Sequence, residues 1–210
     1  MPVNQAFWRT IEQTHDYWKD PSVATDVVKK YREFCQPEWY LHNHEASKMF
    51  LDVVKRLLPD RASTILELGT NVGRNLYHLD MAGYKNISGI EISSKAVELG
   101  FLNFGDVCAN IEVVSIEDYL IDTDDEFDLV FTMGVLLHIH PDSDWVFERI
   151  AEVAKKYIIT IEGEIENVAY KWARSYEDIF VDLGWRHIDD FVFLPLSGIT
   201  ILRVFENGRI

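Results

Sequence analysis

The sequence predicts an α/β fold: a doubly wound, mostly parallel seven-stranded sheet with a C-terminal antiparallel hairpin and an N-terminal helical extension. Three observations carry this expectation. From Thr64 onward, short apolar runs alternate with helix-length segments, the pattern of a parallel sheet covered by helices. The last two apolar runs are joined by "LPLSGI", too short for a crossover helix, so they pair antiparallel at one edge. The first 60 residues hold helical periodicity and no strand-like run.

Taken in order, the N-terminal segment is rich in aromatics: Phe7, Trp8, Tyr17, Trp18, Tyr31, Phe34, Trp39 and Tyr40. In "HEASKMFLDVVKRLLP", Met49, Phe50, Val53, Val54, Leu57 and Leu58 recur at helical spacing and Pro59 stops the helix. Residues 1–60 therefore read as a helical cap on a single domain spanning 61–210, not as a domain of their own. Strands are expected at Thr64–Glu67, Ile87–Ile92, Ile111–Val114, Leu129–Thr132, Tyr157–Ile161, His187–Leu194 and Ile199–Phe205. The helices between them are Arg74–Ala82, Lys95–Phe104, Ser143–Ala154 and Trp172–Leu183. Gly83 and Gly184 sit where helices end in a left-handed residue. "EDYLIDTDDEFD", with seven acids in twelve residues, reads as a solvated loop before the fourth strand.

Bulk composition narrows the function. With 210 residues, 48% of them hydrophobic, the chain suits one globular domain. No apolar run approaches the roughly 20 residues of a membrane span, and "MPVNQAFWRT" has no basic segment leading into an apolar one, so a cytoplasmic protein is expected. Cys35 and Cys108 have neither disulfide-scaffold nor zinc-like spacing. A net charge of -15 without a dense basic run disfavours a nucleic acid partner.

The chemistry concentrates after the first strand, in "ILELGTNVGRN". Ligands of open parallel sheets bind beyond the strands' carboxyl ends, where this turn lies. A dinucleotide fingerprint, G-x-G-x-x-G, needs glycine at 71 and 74, but the chain has Asn71 and Arg74. Asn enters the left-handed region readily, so the turn's shape survives while the fingerprint does not. Glu67 would repel a pyrophosphate and suits a cation. Glu91 lies 22 residues beyond Gly69, near the spacing of about 20 at which an acid meets ribose hydroxyls.

"ILELGTNVGRN", "GIEIS" and "FDLVFTMGVLLHI" together resemble the motifs of class I S-adenosylmethionine-dependent methyltransferases, over roughly Thr64 to Thr160. The resemblance implies a Rossmann-like fold, S-adenosylmethionine as cofactor and S-adenosylhomocysteine (SAH) as product. It implies that Glu67, Gly69, Thr70, Asn71 and Gly73 serve the methionine portion, with Asn71 in place of the usual middle glycine. Glu91 and Ile92 follow as the ribose site, Ser115 and Ile116 as the adenine site, and Thr132, Met133 and Gly134 beside the methionine carboxylate and amino group. Arg74 and Asn75 open the next helix, where one of them is a candidate contact to the cofactor carboxylate and first-turn solvation is the plainer reading. More narrowly, "GRNLYHL" and "GVLLHIHPD" resemble small bacterial methylases associated with pseudaminic acid biosynthesis.

Methyl transfer needs an aligned acceptor and, for a protonated one, a group to take the proton. His138 and Glu162 are the candidate catalytic residues; the plainer reading of His138 is a hydrogen-bonded structural histidine. His140 reads as part of a turn, and Glu164 and Glu166 as solvated. Tyr170, Trp172 and Arg174 line an acceptor pocket or serve as packing and surface residues of a helix. Tyr31, Trp39 and Tyr40 are candidates to close over the cofactor, with Arg32 as a partner for its carboxylate. His42 and His44 form an H-x-H pair like His138 and His140, but without clustered acids no metal is expected. The partner is a small polar molecule methylated on oxygen or nitrogen, such as a sugar, with oligomeric state open. Two rivals stand beside this: an NAD(P)-dependent oxidoreductase, and a catalytically inactive S-adenosylmethionine-binding regulator or partner protein.

Overall fold

The computed structural model describes residues 10–21, 36–165, 171–193, 196 and 199–208. Among the described residues the N-terminal part holds α1 (Ile11–Lys19), α2 (Pro37–Tyr40) and α3 (His44–Leu57). Thr10 opens α1 through a reciprocal box: its Oγ1 accepts from the Gln13 amide while the Gln13 side chain accepts from the Thr10 amide. Asn43 caps α3, which ends at Leu58 just before Pro59. Tyr31, Arg32, Glu166, Tyr170 and Leu194 lie outside the described residues.

Strands and helices then alternate: β1 (Ile65–Leu68), α4 (Arg74–Met81), β2 (Ile87–Glu91), α5 (Ser94–Phe104), β3 (Ile111–Val113), α6 (Ile116–Asp122), β4 (Phe127–Met133), α7 (Val146–Val153), β5 (Ala154–Gly163), α8 (Tyr176–Asp182), β6 (Trp185–Val192) and β7 (Thr200–Asn207). The sheet order is β3-β2-β1-β4-β5-β7-β6, with β7 antiparallel to both neighbours and the other pairs parallel. This is the expected fold. The chain runs outward from β1 to β3 and returns at β4, so the order reverses between β1 and β4, where a ligand crevice opens in such sheets.

Because successive strand residues face opposite ways, each strand feeds two cores. Ile65, Phe131 and Ile159 pack beneath α3, α4 and α5, with Phe50 of α3 stacked on Phe131 at 4.2 Å between ring centroids. Leu66, Val130 and Ile158 pack on the other side beneath α6, α7 and α8. The same alternation turns Glu67 toward α3 and α4, and Glu162 toward the opposite face.

Three expectations need correction. The acidic stretch is a loop only over residues 123–126; its first half belongs to α6, and Phe127 and Asp128 already begin β4. Ser115 Oγ accepts from the Asp118 amide, Glu117 and Asp118 suit the positive helix start, and Ile116 and Leu120 are buried one turn apart. The last helix starts at Tyr176, capped by Ser175, so Trp172 and Arg174 belong to the loop before it and not to a helix. Ser143 lies in a 3-10 turn ahead of α7, and Ala154 already begins β5.

Candidate active site

The turn after β1 is shaped by three left-handed residues, Gly69 (φ 74°), Asn71 (φ 51°) and Gly73 (φ 74°). Asn71 is the non-glycine residue among the described ones with positive φ. Its Oδ1 accepts from the Val72 amide, a local bond that helps an Asn hold this conformation. At Gly69 a Cβ would come within 2.7 Å of Val135 Cγ2, so the turn can lie against the loop after β4 only without a side chain there. The turn is also countersunk: a Cβ on Gly89, in the middle of β2, would fall 2.1 Å from Thr70 Cγ2.

Glu91, at the end of β2, holds this turn from below. Its Oε2 accepts from the Asn71 amide at 2.7 Å and its Oε1 from the Ser93 amide at 2.9 Å. Burial raises its pKa, while the amides of Ser93, Asn71 and Ile92 work against that rise.

Glu67, at the end of β1, is bonded less fully. Oε1 accepts from Asn75 Nδ2 at 2.6 Å, and Asn75 Oδ1 in turn accepts from Ser47 Oγ at 2.6 Å. Among the described residues, Oε2 is buried with no hydrogen-bond partner. Burial pushes the Glu67 carboxyl up to about 8, against the lowering effects of Asn75 and Arg74. Arg74 is buried too, its Nε donating to Ser47 Oγ at 2.8 Å and its Nη1 to the Tyr40 carbonyl, so it already has protein partners.

These groups border a cavity of about 500 Å³, within the size range of small-molecule sites. Of the residues expected to hold a cofactor, Glu67, Gly69, Thr70, Asn71, Arg74, Asn75, Glu91, Ile92, Ser115, Ile116, Met133 and Gly134 line it. Gly73 and Thr132 do not: Gly73 starts α4, and Thr132 Oγ1 donates to Glu162 Oε1 at 2.8 Å. His138 lines the cavity, at the end of a 3-10 turn following β4. Trp39 and Tyr40 also reach it.

Glu162 is placed elsewhere. It is absent from the cavity wall and fully buried, accepting from Thr132 Oγ1 and from the amides of Val135, Leu136 and Leu137 at 2.8 to 3.4 Å. Burial raises its pKa to about 7, opposed by these donors. Its oxygens are thus occupied by protein donors, away from the cavity wall that His138 shares. Arg174 departs similarly, donating to the carbonyls of Leu136 and Ile139 and to Asp144.

Sequence reasoning missed helix α1 as part of the site. His15 and Trp18, three apart and so on one helix face, both line the cavity. His15 Nε2 lies 3.1 Å from Glu117 Oε2, and the Glu117 carboxylate beside it raises the His15 pKa despite burial. The Trp18 ring sits 4.4 Å from that of His138. The i, i+3 spacing of His15 and Trp18 was the signal available. His44 pairs with His78 through ring nitrogens 2.9 Å apart, and among the described residues no group of three metal-ligating side chains assembles.

Residues 65–157 match the family model described as a methyltransferase domain. Those residues run from β1 into β5 and include the glycine turn and Glu91. No curated protein sequence matches the chain. In solved structures, magnesium protoporphyrin IX methyltransferase from Synechocystis PCC 6803 with bound SAH is 15% identical, with a TM-score of 0.66 over 93% of this chain and 98% of that one. The 1,6-didemethyltoxoflavin-N1-methyltransferase of Burkholderia thailandensis, solved with bound 1,6-didemethyltoxoflavin and SAH, is 14% identical, with a TM-score of 0.67 over 95% and 91%. The N-methyltransferase NodS of Bradyrhizobium japonicum WM9 is 14% identical, with a TM-score of 0.64 over 79% and 96%. At these identities the likeness is one of fold.

The cofactor of the methyltransferase domain is S-adenosylmethionine, and the cavity fits it. The unpartnered, buried Glu67 oxygen calls for a cationic donor, which the methionine ammonium provides and a pyrophosphate does not. Ile92, Val114 and Ile116 give an apolar wall suited to a planar base. Ser115 is already used as the α6 cap, so its side chain is not free to read that base.

Proposed function

We propose that this chain methylates a small polar acceptor on oxygen or nitrogen, with a sugar as one candidate, using the cavity at the β1/β4 switch point. The observation that carries the reading is the Glu67 carboxyl group, buried on the cavity wall with one oxygen lacking a partner among the described residues. When bound, S-adenosylmethionine supplies a methyl group already activated by its sulfonium. Glu67 holds the ammonium of the cofactor, and Glu91, fixed by the Asn71 and Ser93 amides, accepts from the ribose hydroxyls. His138 contacts the acceptor and takes up the proton it loses as the new bond to carbon forms. The N-terminal helices act as a cap: α1 brings His15 and Trp18 over the cavity and excludes water from it.

Calorimetry with SAH and with NADH tests the reading. SAH is expected to bind and NADH not to; the reverse result would establish the oxidoreductase rival. Turnover with candidate acceptors separates an enzyme from an inactive binding protein, and His138→Ala is expected to lower turnover more than SAH affinity.

A further inference from the structure

The loop after β4 is gripped on both its polar edges. Gly134 leaves the strand with φ 70° and its amide on the Ile161 carbonyl at 2.8 Å. The next three amides converge on one carboxylate: Val135 N is 3.0 Å from each oxygen of Glu162, Leu136 N is 3.2 Å from Oε1, and Leu137 N is 3.4 Å from Oε2. Successive N–H groups turned to one side in this way form an anion-binding concavity, and here the anion is part of the chain. The carbonyl edge is held from the opposite direction. Arg174 Nη1 donates to Leu136 O at 3.2 Å, its Nη2 to Ile139 O at 2.8 Å, and the Trp172 amide to Leu137 O at 2.7 Å. Asp144 fixes the guanidinium, accepting from its Nη2 at 2.6 Å.

Between these two grips stands His138, the one residue of the 3-10 turn Leu136–His138 that lines the cavity. Neither Glu162 nor Arg174 borders the cavity. We propose that Glu162 and Arg174 are positioning residues, which set the place and orientation of His138 toward the acceptor through the loop between them and never touch the acceptor themselves. This rests on the methyltransferase reading of the cavity. It accounts for a fully buried, charge-bearing side chain at a strand end that has no access to the reacting atoms. A carboxylate with four donors is costly to bury for packing alone, since an apolar side chain could fill the space if the amides were not aimed at it.

The test uses the full chain, amide hydrogen exchange, and the His138 ring resonance, assigned by its loss in His138→Ala. Glu162→Gln replaces an acceptor oxygen with a donor facing the amides. It is expected to speed exchange at Val135, Leu136 and Leu137 by about tenfold or more, a local opening, while the Leu129–Phe131 amides keep their rates. The His138 resonance is expected to move in Glu162→Gln and also in Arg174→Lys, which keeps the charge but loses the fork. If the Gln variant does not fold, Arg174→Lys decides alone. Unchanged loop amides with an unmoved His138 resonance would overturn the proposal, as would equal acceleration at Leu129–Phe131, which means general loosening. Wild-type protein serves as the control: failure to bind SAH would sink the underlying reading and not the positioning roles specifically.

Discussion

Glu67 and Glu162 occupy equivalent places, each a buried glutamate at the carboxyl end of a parallel strand with its pKa raised by burial, to about 8 and about 7. Their surroundings differ. Glu162 faces the layer of α6, α7 and α8, where four protein donors reach it. Glu67 faces α3 and α4, receives a donor from Asn75, and has an oxygen left over on the cavity. A strand end marks where charge collects in such a sheet; the number of donors around it decides whether the charge serves the fold or a ligand. One glutamate is satisfied by the fold itself, and the other keeps an oxygen without a donor among the described residues.

The largest expected effect breaks the first of the pair. Glu162→Ala strands four buried donors and is expected to lower the unfolding free energy by about 3 kcal/mol or more, read from urea denaturation. Glu67→Gln sharpens the contrast: stability holds or rises, because a buried carboxylate with too few donors is replaced by an amide. SAH affinity in that variant is expected to fall by about tenfold or more, as a charge-assisted bond worth roughly 1.5–3 kcal/mol disappears. Stability loss in Glu67→Gln similar to that of Glu162→Ala would erase the distinction. Glu91→Ala is expected to weaken SAH by a similar roughly 1.5–3 kcal/mol, and unchanged calorimetric affinity would refute the ribose assignment.

A pH titration probes the same difference more gently. Glu67 is raised in the fold, so its contribution to stability is full below about 4.5 and is lost as pH rises through about 8. Accepting from an ammonium requires the ionised form, so SAH binding should release a proton near neutrality. Affinity should climb with pH until about 8 and then level, and the climb should vanish in Glu67→Gln. A flat wild-type profile would mean that the open oxygen does not meet the ligand. The smallest effect belongs to the turn beside it. Asn71→Gly is expected to change stability by less than about 0.5 kcal/mol, whereas Asn71→Ala costs about 1 kcal/mol, because Ala lacks both the left-handed tolerance and the bond to Val72.

Much of this was legible in the sequence. The sheet followed from the alternation of apolar runs, and its antiparallel edge from a connection too short to cross over. The left-handed turn at Asn71 was readable because Asn is among the few side chains suited to it. Helix α6 was hidden by its charge: seven acids outweighed the i, i+4 pair of Ile116 and Leu120 that buries it. The role of Glu162 was hidden for another reason, since its amide donors come from a loop about 25 residues earlier whose path no local pattern specifies. The placement of α1 was equally non-local, with His15 meeting Glu117 across a hundred residues of chain.

The missing side chain at Gly89 carries a lesson about sequence drift. The recess that receives Thr70 is cut not in the glycine turn but in the neighbouring strand, at the glycine that opens the "GIEIS" stretch. A mutational scan should therefore find Gly89 as intolerant as Gly69, even toward alanine. A search for relatives that weighs only the turn itself would pass over half of what lets the turn lie where it does.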